Sequence, residues 1–179
     1  MAQNMGKYAL GIMQGRLSPP RDGKIQSFPK DSWREEFSKA KKVGLSHIEW
    51  IFEQDEWEKN SISTETGVKE IVDTINKSGV SVGSVCADYF MDIPYLKAVN
   101  DTKKVLREKL DWLVVQSQRI GARFIDLPFV DASAISDSAE FLAVLEFVTP
   151  ALKRAKSLGI TIALETSLSP QKFRELLLL

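Results

Sequence analysis

The chain has 179 residues, with 24 Lys plus Arg balanced by 24 Asp plus Glu, 44% apolar residues and 27% charged ones. That balance is ordinary for one globular domain, 1–179, and lacks the basic excess of a nucleic-acid binder or the basic stripe of a membrane-surface protein. The single cysteine, Cys86, has no partner for an internal disulfide, the start Met1–Lys7 has no signal-like apolar stretch, and no run approaches the roughly 20 apolar residues of a membrane span, so a cytoplasmic protein with no nucleic-acid or membrane partner is expected.

The predicted elements alternate along the chain. A first strand covers Tyr8–Met13. Ser32-Trp-Arg-Glu35 reads as a capping box, and Trp33, Phe37 and Ala40 then recur at helical spacing up to Gly44. A strand follows over Leu45–Phe52. Thr64 is a plausible N-cap for a helix whose stripe is Val68, Ile71, Val72 and Ile75. Gly79 ends it before the strand Val80–Ala87. Asp101 fits the N-cap of a third helix, marked by Leu106, Leu110, Leu113 and Ile120 and closed by Gly121; Ala122–Phe129 is the next strand. Ser136 or Asp137 starts a fourth helix with Phe141, Leu145, Leu152 and Ala155 on its apolar face. Pro150 predicts a kink or break after Thr149. Gly159 then leads into a fifth strand, Ile160–Thr166, and a short helix from Ser169 to Leu179. A glycine at each of these four junctions suits the left-handed position that ends a helix, where a Cβ is penalised.

Strands alternating with helices imply parallel pairing and right-handed crossovers. Two architectures fit. A five-stranded doubly wound, flavodoxin-like sheet would be complete at this length. A (β/α)₈ barrel has a similar unit, but at about 35–42 residues per unit eight would need roughly 300. One strand face is polar, with His47, Glu49, Ser81, Gly83, Thr161 and Glu165; the other is apolar, with Ile48, Val80, Val82, Ile160, Ile162 and Leu164. A sheet covered by helices on both sides should be apolar on both faces, so the pattern favours a partial barrel of about five units.

Five segments carry a more specific signal: Gly11-Ile-Met-Gln-Gly-Arg-Leu-Ser-Pro-Pro20, Gly44-Leu-Ser-His-Ile-Glu49-Trp, Ser84-Val-Cys-Ala-Asp88-Tyr-Phe, Gly121-Ala-Arg-Phe-Ile-Asp-Leu-Pro-Phe129 and Gly159-Ile-Thr-Ile-Ala-Leu-Glu165-Thr. In that order they resemble the sugar phosphate isomerase/epimerase family, the xylose isomerase-like TIM barrels that also include endonuclease IV. The resemblance implies a divalent metal (Mn, Zn, Co or Mg) at the C-terminal mouth of the barrel. Its ligands would be a Glu ending the fifth strand, an Asp on the sixth, a His on the seventh and a Glu on the eighth. Glu165 matches the first. The other three have no counterpart within the 179 residues, so the chain alone is expected to be inactive.

The implied chemistry moves a proton next to a carbonyl through an enediolate held by the metal, with two carboxylates as acid and base. The resemblance makes Glu165 both a ligand and one of that pair; a strand-end carboxylate satisfied by backbone donors is the plainer alternative. Gln14, Arg16, Glu49 and Asp88 are candidates for substrate contact, each with an ordinary structural or solvated role beside it. Asp126 is open between substrate contact and a loop role. His47, the one histidine, reads more simply as a satisfied core residue, and Cys86 as a small core hydrophobe. Trp33, Trp50, Trp57 and Trp112 read as core, with Trp50 also able to flank a sugar ring. The expected partner is a small sugar or sugar phosphate. An endonuclease IV-like role is disfavoured by the single histidine and zero net charge. A non-catalytic binding or assembly module is the other alternative, because an open barrel leaves strand edges and apolar faces uncovered; self-association into a homo-oligomer is expected.

Overall fold

A computed structural model of the chain describes residues 9–21, 23–24 and 26–179. Tyr8, where the first predicted strand begins, lies outside the described residues, as does the start Met1–Lys7. Five strands, β1 (Gly11–Met13), β2 (His47–Ile51), β3 (Ser81–Cys86), β4 (Phe124–Phe129) and β5 (Thr161–Thr166), form one parallel sheet in the order β1-β2-β3-β4-β5. That sequential order decides between the two architectures. A doubly wound sheet reverses its strand order at a switch point so that helices cover both faces, whereas sequential right-handed crossovers place every helix on one side. The sheet is therefore five units of a barrel wall.

The helices are α1 (Trp33–Lys42), α2 (Glu65–Ser78), the single turn α3 (Tyr89–Asp92), α4 (Asn100–Arg119), α5 (Phe141–Leu158) and α6 (Pro170–Leu177). Thr64 caps α2 by accepting from the Gly67 backbone N–H, and Ser169 caps α6 by accepting from Lys172. Three expectations at helix ends are corrected. The Ser32–Glu35 capping box does not form, because the Ser32 hydroxyl points back to Ser18 Oγ at 3.0 Å. Asp101 lies inside α4, whose N-cap is Val99. The helix containing Pro150 runs unbroken to Leu158, since Pro150 is on its exposed face and the carbonyl it leaves unpaired can meet water.

The core fills the layer between sheet and helices. Ile48, Trp50, Val82, Val85, Ile125 and Leu127 point outward from the sheet and are fully buried. Trp50 packs edge-on against Trp33 at 5.2 Å and donates through Nε1 to Asn60 Oδ1. It is thus a core residue on the helix side, not a platform for a sugar ring. The opposite face of the sheet is wetter: Thr161, Ala163 and Glu165 are exposed, and Phe124 is 45% exposed. On β3 the register slips beside Ile48 and Glu49, so that His47 pairs with Ser81 but Glu49 pairs with Ser84, leaving Gly83 as the extra residue of a bulge. Gly83 opens beside His47 on the inner face, and beyond it Ser84 and Cys86 share that face with Glu49.

Candidate functional site

The C-terminal ends of the strands and the loops above them surround an open cleft of about 870 Å³. Its floor comes from successive strands: Met13 of β1, Glu49 of β2, Cys86 of β3, Asp126 and Pro128 of β4, and Glu165 of β5. The pairing register explains this convergence. Met13, Glu49 and Ser84 form one row across the sheet, Cys86, Asp126 and Ala163 the next, and Pro128 with Glu165 the one above. Side chains in register on a parallel sheet share a face, so the strand-end carboxylates are aimed to the same side.

Neutral donors hold most of the floor. Ser84 Oγ donates to Glu49 Oε1 at 2.7 Å, a bond that exists because the Gly83 bulge turned Ser84 inward. Asp88, only 7% exposed, accepts from Gln26 Nε2 at 2.7 Å and from the Cys86 thiol at 3.2 Å. Burial, with Asp88 next to it, pushes the Cys86 thiol well above its ordinary range, so the sulfur stays protonated as a donor. Burial also raises the Asp126 carboxyl, and the charges of Glu165, Glu49 and Asp88 add to it, bringing it to about 6. These carboxylates therefore sense one another across the cleft.

The loops supply the rim. Glu53, Gln54 and Asp55 follow β2, Met91 and Asp92 follow β3, and Val130 and Asp131 follow β4. Asp131 adopts a left-handed φ of 47°, a conformation that aspartate tolerates better than most side chains. The long segment between β1 and α1 brings Lys24 and Gln26 over the opening. It is fastened at both ends. At one end Arg21 meets Glu56 at 2.9 Å and Asp55 at 3.4 Å, and Lys30 meets Glu56 at 2.6 Å. At the other the buried Glu36 carboxylate of α1 accepts from the Gly15 and Leu17 backbone N–H groups, each at 3.0 Å. Glu53 accepts from Phe28 N at 2.8 Å, and burial raises its pKa against the pull of that bond and of Lys24 and Arg21.

Of the residues singled out from sequence, Glu49, Asp88, Asp126 and Glu165 line the cleft together. Gln14 and Arg16 do not. Gln14 is fully buried, and its Oε1 accepts from Ile51 N at 3.1 Å, continuing the β1–β2 ladder where β1 has ended; its Nε2 has no partner among the described residues. Arg16 is exposed on the segment after β1. His47 lies at the opposite end of the inner face, packed beside Gly11 and Gly83. Lys24, Gln26 and Glu53 were missed. These three reach the cleft only through the path of their loops, which no local signal marks. Among the described residues no group of three or more His, Cys, Asp or Glu side chains is placed to hold a metal ion. The donors present thus do not fit, by themselves, the divalent metal that the resemblance implies. No helix among the described residues is long and apolar enough to cross a membrane.

No protein-family model matches the sequence, and no curated protein sequence matches it. Solved structures do. D-psicose 3-epimerase from Clostridium cellulolyticum H10, crystallised with D-tagatose, superposes with a TM-score of 0.70 at 13% identity over 95% of this chain and 59% of its own. A xylose isomerase-like TIM barrel protein from Mycobacterium smegmatis in complex with magnesium gives 0.66 at 16% identity, over 96% and 60% of the two chains. The IOLI protein with a bound zinc atom gives 0.64 at 11%, over 94% and 58%. The chain spans about 60% of the length of these structures. With its sequential parallel sheet and helices on one side, the chain has the fold of five successive strand–helix units of a xylose isomerase-like TIM barrel.

Proposed function

We propose that the cleft is the substrate-binding wall of a sugar isomerase or epimerase site. The observation that carries this reading is the convergence of Glu49, Asp88, Asp126 and Glu165 from four successive strands into one open cleft at the C-terminal ends of the sheet, where barrels and open α/β sheets bind small molecules. Carboxylates there accept from sugar hydroxyls. Glu49 and Asp88 are fixed by Ser84 and by Gln26 with Cys86, so their free lone pairs keep a defined direction. Glu165, exposed on β5, is the base in this reading. It takes the proton from the carbon beside a ketose carbonyl, and the electron pair left behind forms the enediolate. Asp126, titrating at about 6, is the group suited to returning a proton near neutral pH.

We also assign Glu165 as the residue of this chain that would contribute to a divalent metal. The described residues do not complete such a site, so no step is built on it. The D-psicose 3-epimerase and the magnesium and zinc complexes among the similar folds support the sugar-and-metal lineage as a proposal.

Binding is the part of this reading that the described residues can perform themselves, so binding is its test. D-tagatose titrated into the isotopically labelled protein is expected to shift amide resonances around Glu49, Asp88, Asp126 and Glu165. Glu49→Gln combined with Asp88→Asn is expected to weaken that response roughly tenfold or more. Shifts confined to the other end of the sheet, around Ser81 and Arg123, would sink the proposal.

A further inference from the structure

We infer that the cleft selects uncharged sugars over phosphorylated ones; this rests on the sugar-binding reading above and names the substrate class for the same site. The argument is about which groups neutralise the carboxylates. Glu49 is held by a serine hydroxyl, Asp88 by an amide and a thiol, and Asp92 by the Gln54 backbone N–H at 3.1 Å. All are neutral donors. They satisfy the oxygens as acceptors and leave the full negative charge in place.

The cations nearby are engaged at the outer rim. Among the described residues Lys24 is the one lysine or arginine lining the cleft, and its Nζ is 4.0 Å from Asp55. Arg21 pairs with Glu56 and Asp55. The cluster of carboxylates thus faces the ligand with acceptors and negative charge. A neutral polyol supplies hydroxyl donors to such a surface. A phosphate group supplies acceptors and about two negative charges, and like charges brought together in a partly desolvated cleft repel strongly. Phosphate recognition elsewhere relies on arginine forks, lysines or a helix N-terminus aimed at the ligand. Among the similar folds, the D-psicose 3-epimerase holds an unphosphorylated ketose, D-tagatose.

The test is a side-by-side titration of the whole chain with D-tagatose and D-tagatose 6-phosphate, read by the same amide resonances at low and at high ionic strength. The expected result is roughly tenfold or greater preference for the neutral ketose at low salt, narrowing as salt screens the cleft. The double variant Asp92→Asn with Asp131→Asn, which removes rim charge without touching Glu49, Asp88 or Glu165, is expected to shrink the preference. Equal or tighter binding of the phosphate ester at the cleft overturns the inference and leaves the sugar-binding reading standing. A preference that ignores both salt and the rim variant overturns its electrostatic basis. Failure of both sugars to perturb the cleft overturns the two together.

Discussion

His47 and Gly83 approach so closely across the β2–β3 ladder that a Cβ on the glycine would lie 2.9 Å from His47 Cδ2. The same imidazole occupies the room beside Gly11, where a Cβ would come within 2.2 Å of Cδ2 and Nε2. The histidine is therefore a spacer set between two side-chain-free positions, with its Nδ1 3.0 Å from Ser46 Oγ. Gly83 is also the extra residue of the bulge, so one glycine both admits the ring and turns Ser84 toward Glu49.

Gly11→Ala is expected to destabilise the fold by about 1–3 kcal/mol through overpacking against that ring. The control is His47→Ala. In that background the alanine at position 11 has space, so a double-mutant cycle in urea should show the cost of Gly11→Ala largely removed. An unchanged cost in the absence of the imidazole would mean that the backbone at Gly11, not the ring, is responsible.

Glu36 gives a second prediction. Its carboxylate is 1% exposed and carries the Gly15 and Leu17 N–H groups, which have left β1 and have not entered a helix. Removing a charged acceptor strands two part-buried donors, so Glu36→Ala should cost about 1–3 kcal/mol, and Glu36→Gln less because its amide oxygen still accepts. Amide hydrogen exchange at Gly15 and Leu17 should accelerate in step. Since the same segment leads to Lys24 and Gln26 at the cleft, sugar binding should weaken as well. Unaltered exchange at both amides would remove Glu36 from this role.

Much of the fold was legible because each unit repeats the same signals. Helical apolar stripes end in glycines whose φ values at Gly44, Gly79, Gly121 and Gly159 lie at 71–83°, each followed by a strand. Strand order was not legible, because local pattern does not say which strand pairs with which; the pairing decided against the doubly wound sheet. Within the site, Glu49, Asp88, Asp126 and Glu165 could be named because each sits at or near a strand end. Glu36 looked like one more acidic residue in the first turn of an exposed helix, and nothing local says that a loop 19 residues earlier folds back onto it. The inward facing of Ser84 was not legible either, since one inserted residue reverses the facing of everything after it and nothing local marks the bulge.

Asp126 provides a pH-dependent test. Unfolded, its carboxyl ionises near the ordinary value of about 4; folded, burial together with Glu165, Glu49 and Asp88 holds the proton until about 6. Between those values the folded chain binds more protons at this site than the unfolded chain. The contribution of this carboxyl to stability therefore falls as pH rises through that window, and is greatest below it. Asp126→Asn, which never ionises, should gain relative to wild type on going from pH 4 to pH 7. Urea unfolding at both ends of the range measures the difference of differences, which cancels the slopes of the other carboxylates. A variant offset that is the same at the two pH values would show that Asp126 does not titrate in this range.

Lys109 of α4 ties the two loops that bear most of the rim. Its Nζ lies 3.1 Å from the centre of the Trp57 ring, 4.9 Å from Trp112 and 5.6 Å from Tyr89. Trp57 begins a 3-10 turn directly after the segment carrying Glu53 and Asp55, and Tyr89 adjoins Asp88. Phe52 completes the group by stacking on Tyr89 at 5.3 Å. A cation held among aromatic faces contributes about 0.5–2 kcal/mol beyond its apolar stem. Lys109→Met keeps the stem and removes the charge, so it should destabilise by about that amount, with a shift in tryptophan emission from Trp57 and Trp112. Lys103→Met is the control, because Lys103 sits over a single ring, Tyr95, at 5.1 Å and should lose less. Equal losses in the two variants would reduce the cluster to ordinary apolar cover. A larger loss at Lys109, accompanied by weaker D-tagatose binding, would identify its charge as what holds the loops after β2 and β3 in place over the cleft.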